Sequence, residues 1–105
     1  MDKRERKEDR KMLTWNVTYH CKTGQRAAFY EALCELGIRK NSRAEDGNLG
    51  YDYYFAAEAE DDLLLVESWA SPEKQRAHCE TELFKKLQTL KARFCDGVEI
   101  EKFTR

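Results

Sequence analysis

Three side chains near the middle of the chain are of types that move or orient a proton. Glu67 and Trp69 lie two residues apart in the stretch VESWA, and His78 follows nine residues after the tryptophan. A histidine can accept or donate a proton near neutral pH, and a carboxylate or an indole N–H can orient the histidine or its substrate. Glu67, Trp69 and His78 are therefore the candidate catalytic group.

The same side chains also have a structural interpretation. A strand over 63–70 places Glu67 and Trp69 on one face together with two leucines, because successive side chains alternate. A carboxylate buried on such a face costs several kcal/mol unless it is paired, so Glu67 needs a partner or contact with water. A hydrogen bond that fixes a helix against the strand would satisfy it, and tryptophan packs well in a core. The residues alone leave both interpretations open.

Other catalytic and cofactor-binding patterns are absent from the sequence. There is no GxSxG motif and no glycine-rich phosphate loop, and Cys79 points about 100° away from its neighbour His78 on a helix. The cysteines form no CxxC pair, and the second histidine, His20, is far from His78 in the sequence. We therefore predict no metal, flavin or nucleotide. The cysteines predicted to be reduced are Cys21, Cys34, Cys79 and Cys95.

The N-terminal half of the chain has the patterns of a strand and an amphipathic helix. Residues 12–21 alternate between large apolar and polar side chains, which indicates a strand. Residues 25–43 carry apolar side chains at helical spacing, including Phe29 and Leu33. Gly37 falls inside this helix or near its end, so the helix boundary is left open.

A hairpin and a final strand follow from the remaining apolar runs. Residues 51–58 are rich in aromatic side chains and 63–70 are strongly apolar, and the acidic turn between them indicates a hairpin. Residues 98–105 alternate again after a turn predicted at Asp96 and Gly97. Three further strands are thus predicted.

The second helical region begins at Ser71 and Pro72. Serine caps free backbone N–H groups, and proline lacks the N–H that the first turn would leave unpaired. The helix is expected to break or bend near Thr81 and to continue over 82–94 with one apolar stripe. The side chains of that stripe are Leu83, Leu87, Leu90 and Phe94.

The order β-α-β-β-α-β is that of an α+β ferredoxin-like fold. An antiparallel sheet with both helices on one side leaves its other face uncovered. The simplest cover is a second copy of the chain packed face to face across a two-fold axis, which would enclose a cavity in each subunit. The sequence therefore predicts a homodimer.

Composition indicates one globular domain. The chain has 105 residues, of which 41% are hydrophobic and 37% charged, and its net charge is −1. Residues 1–11 contain six Lys/Arg and four Asp/Glu without an apolar stretch, which predicts a solvated, flexible tail before a domain at 12–105. We expect no nucleic-acid partner, no membrane partner and a cytoplasmic location.

The stretches AEDGNLGYDYY and LLVESWASPEKQRAHCETELFKKL together resemble the antibiotic biosynthesis monooxygenase (ABM) family, which includes quinol-monooxygenase-like proteins. The resemblance covers residues 12–104. The residues that carry it are the acidic residue before Gly47, Tyr51, the pair Glu67 and Trp69, His78 and Phe84.

The resemblance implies a dimeric α/β barrel in which the last strand, residues 98–103, reaches over the partner subunit. Enzymes of this family oxidise phenolic or quinol-type aromatics with molecular oxygen and need no metal or organic cofactor. Applied to this sequence, the resemblance implies that Trp69 and His78 are catalytic and that Glu67 orients them. The residues that would bind a small aromatic or quinone-like substrate are Asn48, Tyr51, Phe84 and Asn16.

The sequence also departs from its relatives. Many of them have a second histidine where Glu82 or Leu83 stands here. Related haem-degrading enzymes need a histidine and an asparagine where Gln88 and Val17 stand, which argues against haem degradation. Two alternatives to a monooxygenase remain: an enzyme that isomerises or degrades a small oxygenated metabolite, and a dimeric ligand-binding stress protein without catalysis.

Overall fold

The fold is an antiparallel sheet with helices packed on one face. The computed structural model describes residues 11–105. Its strands are β1 (Leu13–Cys21), β2 (Asn48–Phe55), β3 (Asp62–Trp69) and β4 (Cys95–Thr104), and its helices are α1 (Arg26–Leu36), α2 (Ile38–Arg43), α3 (Pro72–Cys79) and α4 (Glu82–Phe94). Within the described residues the sheet has four strands in the order β2-β3-β1-β4. The predicted ferredoxin-like α+β class is confirmed.

The predicted N-terminal tail, residues 1–11, lies outside the described residues except for Lys11. Among the helices of residues 11–105, none is long and apolar enough to cross a membrane.

Each of the two predicted helical regions is divided into two helices. Gly37 ends α1 in the left-handed conformation, with φ of 72°, and its N–H donates to the last carbonyls of that helix. The Ser71 hydroxyl accepts a hydrogen bond from the Lys74 N–H at the start of α3. The Thr81 hydroxyl accepts one from the Phe84 N–H and so starts α4, which confirms the predicted break.

The predicted bounds of β2 and β4 are wrong. Strand β2 runs over Asn48–Phe55 rather than over 51–58, and a bulge between Asn48 and Gly50 lets its first residues keep pairing with β3. No turn separates α4 from β4, and Asp96 and Gly97 already belong to the strand. Cys95 pairs with Cys21 of β1 immediately after the helix ends.

The core lies between the sheet and the helices. The predicted alternation in β1 and β3 is confirmed, since Val17, Tyr19, Leu63 and Leu65 are all buried on the helix-facing side. The helices contribute Phe29, Leu33, Leu87 and Phe94 to the same cluster. Burial of this apolar surface, at about 25 cal/mol per Å², is what holds the helices on the sheet.

Strand register brings three large side chains of that face together. Trp15 of β1 pairs with Glu67 of β3, and Tyr51 of β2 pairs with Glu67 from the other side. Because paired residues point to the same face, a tryptophan, a carboxylate and a tyrosine form one row beneath the helices.

The opposite face of the sheet is open in the single chain, and the sheet does not close into a barrel. Residues of all four strands point to this face, among them Asn16, Tyr54, Leu64, Val66 and Phe103. Tyr54 and Phe103 are exposed there, whereas Leu64 and Val66 are only partly shielded by their neighbours. This mixed apolar face is the one that the sequence predicted to need a cover.

Gly47 allows a sharp turn before β2. We expect the substitution Gly47→Ala to lower the free energy of unfolding more than Gly24→Ala does. Both glycines have positive φ, 85° and 74°, which costs a residue with a Cβ about 1–2 kcal/mol. A Cβ at Gly47 would also lie 2.3 Å from Cγ of Lys74, whereas one at Gly24 would meet nothing within 4 Å. The clash adds about 1–3 kcal/mol.

Urea denaturation of both variants measures the difference in the free energy of unfolding. Gly24→Ala controls for the backbone conformation alone. Equal losses in the two variants would contradict the predicted clash with Lys74.

Candidate active site

A cavity of about 60 Å³ opens between the helix-facing side of the sheet and helices α3 and α4. Its apolar walls are Trp15, Val17, Phe84, Leu87 and Ile100. Its polar lining consists of Tyr19, Tyr51, Glu67, Gln75, His78, Cys79 and Lys91. Aromatic and aliphatic walls combined with polar groups that converge on one space are typical of a site for a small organic molecule.

Glu67 and Trp69 are partners. The Trp69 Nε1–H donates a 2.8 Å hydrogen bond to Oε1 of Glu67, with 6% of Glu67 and 0% of Trp69 exposed. The bond forms because residues two apart on a strand point to the same face. It answers the question that the sequence raised, since the buried carboxylate is satisfied by its own strand and not by a helix.

The environment of Glu67 favours its neutral form. Burial raises the pKa of this carboxyl, and the negative charge of Glu45 adds to that effect. The hydrogen bond from Trp69 acts in the opposite direction, as do the protonated form of His78 and the positive charge of Lys91. Because burial is the largest of these causes, Glu67 releases its proton less readily than an exposed glutamate.

His78 is held by a carboxylate from another part of the chain. Its Nδ1 lies 2.9 and 3.1 Å from the two carboxylate oxygens of Glu45, which precedes the Gly47 turn. Only 3% of His78 is exposed. Because a carboxylate accepts a hydrogen bond, Nδ1 carries the proton and the lone pair of the neutral ring lies on Nε2. Among residues 11–105, only Nδ1 of this ring is hydrogen-bonded, which leaves Nε2 for a ligand in the cavity.

Aromatic side chains fix the plane of the His78 ring. The Trp69 ring lies 4.8 Å from it at a tilt of 34°, and the Phe84 and Tyr51 rings meet it edge-on at 5.4 and 5.8 Å. Rings at these distances stabilise one another and leave little room for rotation. The imidazole is therefore oriented by packing as well as by Glu45.

Tyr51 lines the cavity and has a buried hydroxyl. Within the described part of the chain, the hydroxyls of Tyr51 and its neighbour Tyr53 have no hydrogen bond of standard geometry. Burial raises the pKa of both groups, so they remain protonated donors. The two hydroxyls also interact with each other, and a ligand that accepts a hydrogen bond would compete for the Tyr51 proton.

The structure brings most of the candidate residues together. Tyr51 and Phe84 line the same cavity as Glu67 and His78, and Trp69 lies directly behind them. Among residues 11–105 there is no group of three or more His, Cys, Asp or Glu side chains that could hold a metal ion.

The two asparagines lie elsewhere. Asn16 is not brought to this cavity, because the alternation of β1 turns its side chain to the open face, where it pairs with Val66 and Glu101. Asn48 lies at the start of β2, and its side-chain amide donates to the backbone oxygens of Gly50 and Ser68. It fixes the bulge of β2 and does not line the cavity.

Several polar residues of the site were missed by the sequence analysis. Gln75 was not considered, and Cys79, expected to point away from His78, lines the same cavity. Lys91 follows Phe84 by seven residues and Leu87 by four, so a complete reading of the helical face would have included it with the apolar stripe. Glu45 carries no comparable signal, because its contact with His78 spans 33 residues. The only indication in the sequence that Glu45 belongs to the site was its position in an acidic turn.

The family model described as antibiotic biosynthesis monooxygenase matches residues 12–90 of this chain. The chain belongs to this family. The ABM resemblance seen in the sequence is thereby confirmed. None of the curated proteins compared with this ABM protein matches it.

Solved structures of other proteins share the fold of this chain. A conserved protein of unknown function from Bacteroides thetaiotaomicron, described as a possible oxidoreductase, is 25% identical, with a TM-score of 0.81 over 91% of this chain and 99% of that one. A Pseudomonas aeruginosa protein is 26% identical, with a TM-score of 0.79, and the match covers 90% of this chain and 93% of that one. A Shewanella oneidensis protein, at 15% identity and a TM-score of 0.82 over 91% and 92%, shares the fold.

The raised pKa of Glu67 predicts a pH-dependent stability difference from Glu67→Gln. Below the ordinary glutamate pKa of 4.5 the carboxyl is protonated in both folded and unfolded chains. As the pH rises from about 4 to about 7, the unfolded chain loses this proton first, so the free energy of unfolding falls. Glutamine accepts the same bond from Trp69 but does not ionise, so the variant is spared this loss.

Urea denaturation of both proteins at several pH values tests the effect. The ionisable neighbours of Glu67 are the same in both proteins, so their own contributions to the pH dependence cancel to first order in the difference. These neighbours are Glu45, His78 and Lys91. We expect the stability of Glu67→Gln relative to wild type to increase with pH. A pH-independent difference between the two would contradict a raised pKa.

Proposed function

We propose that this ABM protein is a monooxygenase that oxidises a small quinol or polyphenolic aromatic with molecular oxygen, and that it requires no metal or organic cofactor. The observation that carries the proposal is the pairing of His78 with Glu45, which leaves Nε2 as a base at an aromatic-lined cavity. Membership of the family supports the reaction type.

His78 removes a proton from a substrate hydroxyl. Nε2 accepts the proton, and the Glu45 carboxylate at 2.9 Å stabilises the imidazolium that results. Deprotonation makes the ring richer in electrons and therefore easier to oxidise. A positioned base of this kind contributes about 10²- to 10⁴-fold to the rate.

The electrons for the reaction come from the substrate itself. Oxygen bonds to a ring carbon of the deprotonated quinol, and one proton completes a hydroperoxide. The O–O bond then breaks with loss of water and leaves a carbonyl on the ring. One oxygen atom ends in a hydroxyquinone and the other in water, so hydroquinone plus O₂ balances to hydroxyquinone plus H₂O.

The cavity suits the flat, apolar body of such a substrate. Its apolar walls exclude water, and the Tyr51 hydroxyl can donate to an oxyanion that develops on the ring. The cavity itself, at about 60 Å³, holds one edge of the ring. The remainder extends past Ile100, which lines the cavity and is 46% exposed.

Replacement of His78 by glutamine is expected to lower quinol-dependent oxygen uptake by at least about 100-fold, because the base is lost. Trp69→Phe should lower it as well, since Glu67 loses its hydrogen-bond donor while the ring remains. An oxygen electrode with 1,4-dihydroxynaphthalene measures the rates. Circular dichroism confirms that each variant is folded.

His20→Gln is the matched control, because His20 lies on the open face and is hydrogen-bonded to Asp62. It should retain oxygen uptake within about twofold of wild type. If wild type consumes no oxygen with any quinol, the monooxygenase proposal fails. Conversion of a ligand without oxygen would then indicate the isomerase reaction, and binding without conversion would indicate a ligand-binding module.

We also propose that two copies of the chain pack through the open face of the sheet. Leu64 and Val66 lie at its centre, flanked by the exposed rings of Tyr54 and Phe103. Exposed apolar surface of this extent on a small domain is typical of an interaction site. A face-to-face homodimer buries the same patch on both subunits.

Light scattering should therefore give twice the chain mass of 12.4 kDa. Val66→Glu places a charge at the centre of the patch and is expected to produce monomers at micromolar concentration, because two carboxylates would meet across the two-fold axis. Val66→Ala, which leaves the patch uncharged, should remain dimeric. A monomeric wild type would contradict the proposed interface.

A further inference from the structure

Lys91 is a cation in the wall of the cavity and has no anionic partner among the described residues. No ion pair within residues 11–105 includes it, and its ammonium group lies 5.9 Å from the centre of the Tyr19 ring. Burial of this half-buried group lowers its pKa. A cation placed against an apolar wall is costly unless something pairs with it.

The nearest acidic groups do not supply that pair. Glu67 accepts from Trp69 and is shifted toward its neutral form, while Glu45 is held by His78. Burial also raises the pKa of the Cys79 and Cys95 thiols, to about 12 for Cys95, so both remain uncharged beside Lys91. The positive charge of Lys91 is therefore left to interact with a ligand.

A second cation lies next to the same wall. The Lys102 ammonium is 4.5 Å from the centre of the Trp15 ring, and Trp15 lines the cavity. Lys102 and Trp15 are paired across β4 and β1, so both point to the helix-facing side. Together Lys91 and Lys102 give this side of the cavity a positive potential that attracts an anion.

Lys91 and His78 lie at different ends of the cavity. On α4, Phe84 contacts the His78 ring, and Lys91 follows seven residues later, which is about 10 Å along a helix. Leu87 lies between them and lines the cavity. A flat aromatic molecule that spans this length can present a hydroxyl to His78 and another substituent to Lys91.

We infer that Lys91 determines specificity by pairing with a carboxylate on the aromatic ring, so that the preferred substrates are aromatic hydroxy acids of the quinol type. This inference rests on the proposed function in one respect, namely that the cavity is the substrate site. A negative substituent gains a charge-assisted hydrogen bond in a poorly hydrated wall, whereas an uncharged ring gains apolar contact alone.

A pair of ligands that do not turn over isolates this effect from catalysis. 6-Hydroxy-2-naphthoate and 2-naphthol differ only in the carboxylate, which lies at the far end of the ring system from the hydroxyl, and their binding can be followed by calorimetry or tryptophan fluorescence. Wild type should bind the naphthoate at least about tenfold more tightly than the naphthol, as expected for a partly desolvated ion pair. The preference should shrink as salt is added.

Lys91→Met keeps most of the aliphatic chain and removes the charge. It should weaken naphthoate binding by about tenfold or more and change naphthol binding by less than about twofold. Lys91→Arg keeps the charge and should retain the preference. Lys91→Gln replaces the methionine variant if that variant does not fold.

Each outcome decides between the proposals. Equal binding of the two ligands by wild type, or equal losses for both in Lys91→Met, overturns the role of Lys91 and leaves the monooxygenase proposal intact. Failure of both ligands to bind overturns the role of Lys91 together with the cavity as an aromatic site. A carboxylate preference without any quinol oxidation supports the role of Lys91 and removes only the proposed reaction.

Discussion

Glu67 places a carboxylate on the side of the sheet that the helices cover, and the site is arranged around that constraint. A buried carboxylate must be hydrogen-bonded, neutral or paired with a cation. The Trp69 N–H supplies the bond, and burial favours the neutral form. Trp69, two residues along the strand, therefore has a polar role in addition to its packing in the core, because its N–H satisfies the buried carboxylate.

The second polar contact joins parts of the chain that are distant in sequence. The pair of Glu45 and His78 connects the turn before β2 to helix α3, and Gly47 makes the approach of that turn to Lys74 sterically feasible. Backbone bonds support it, since the Ala70 N–H donates to the Gly47 oxygen at 2.7 Å. Orientation of the imidazole is therefore a property of the whole fold at this end of the sheet.

The two faces of the sheet have different roles. The helix-facing side holds the core and the cavity, and the open side presents the patch around Val66 to a partner. Strand alternation separates them completely, so a residue such as Asn16 belongs to one side even though its neighbours Trp15 and Val17 line the cavity on the other. Substitutions on the two faces therefore separate assembly from binding.

The sequence by itself determined the elements and their faces. Alternation in 13–21 and 63–69 specified which side chains enter the core, and the Ser71, Pro72 and Thr81 signals located the helix starts, because these are interactions within a few residues. Glu67, Trp69 and His78 were identified as neighbours through residue type and family resemblance.

Only the tertiary structure decided what those residues touch. The contact of Glu45 with His78 and the position of Lys91 in the cavity wall depend on how strands and helices pack. Local patterns cannot predict such contacts, because a pairing across 33 residues is fixed by the summed packing of the whole chain.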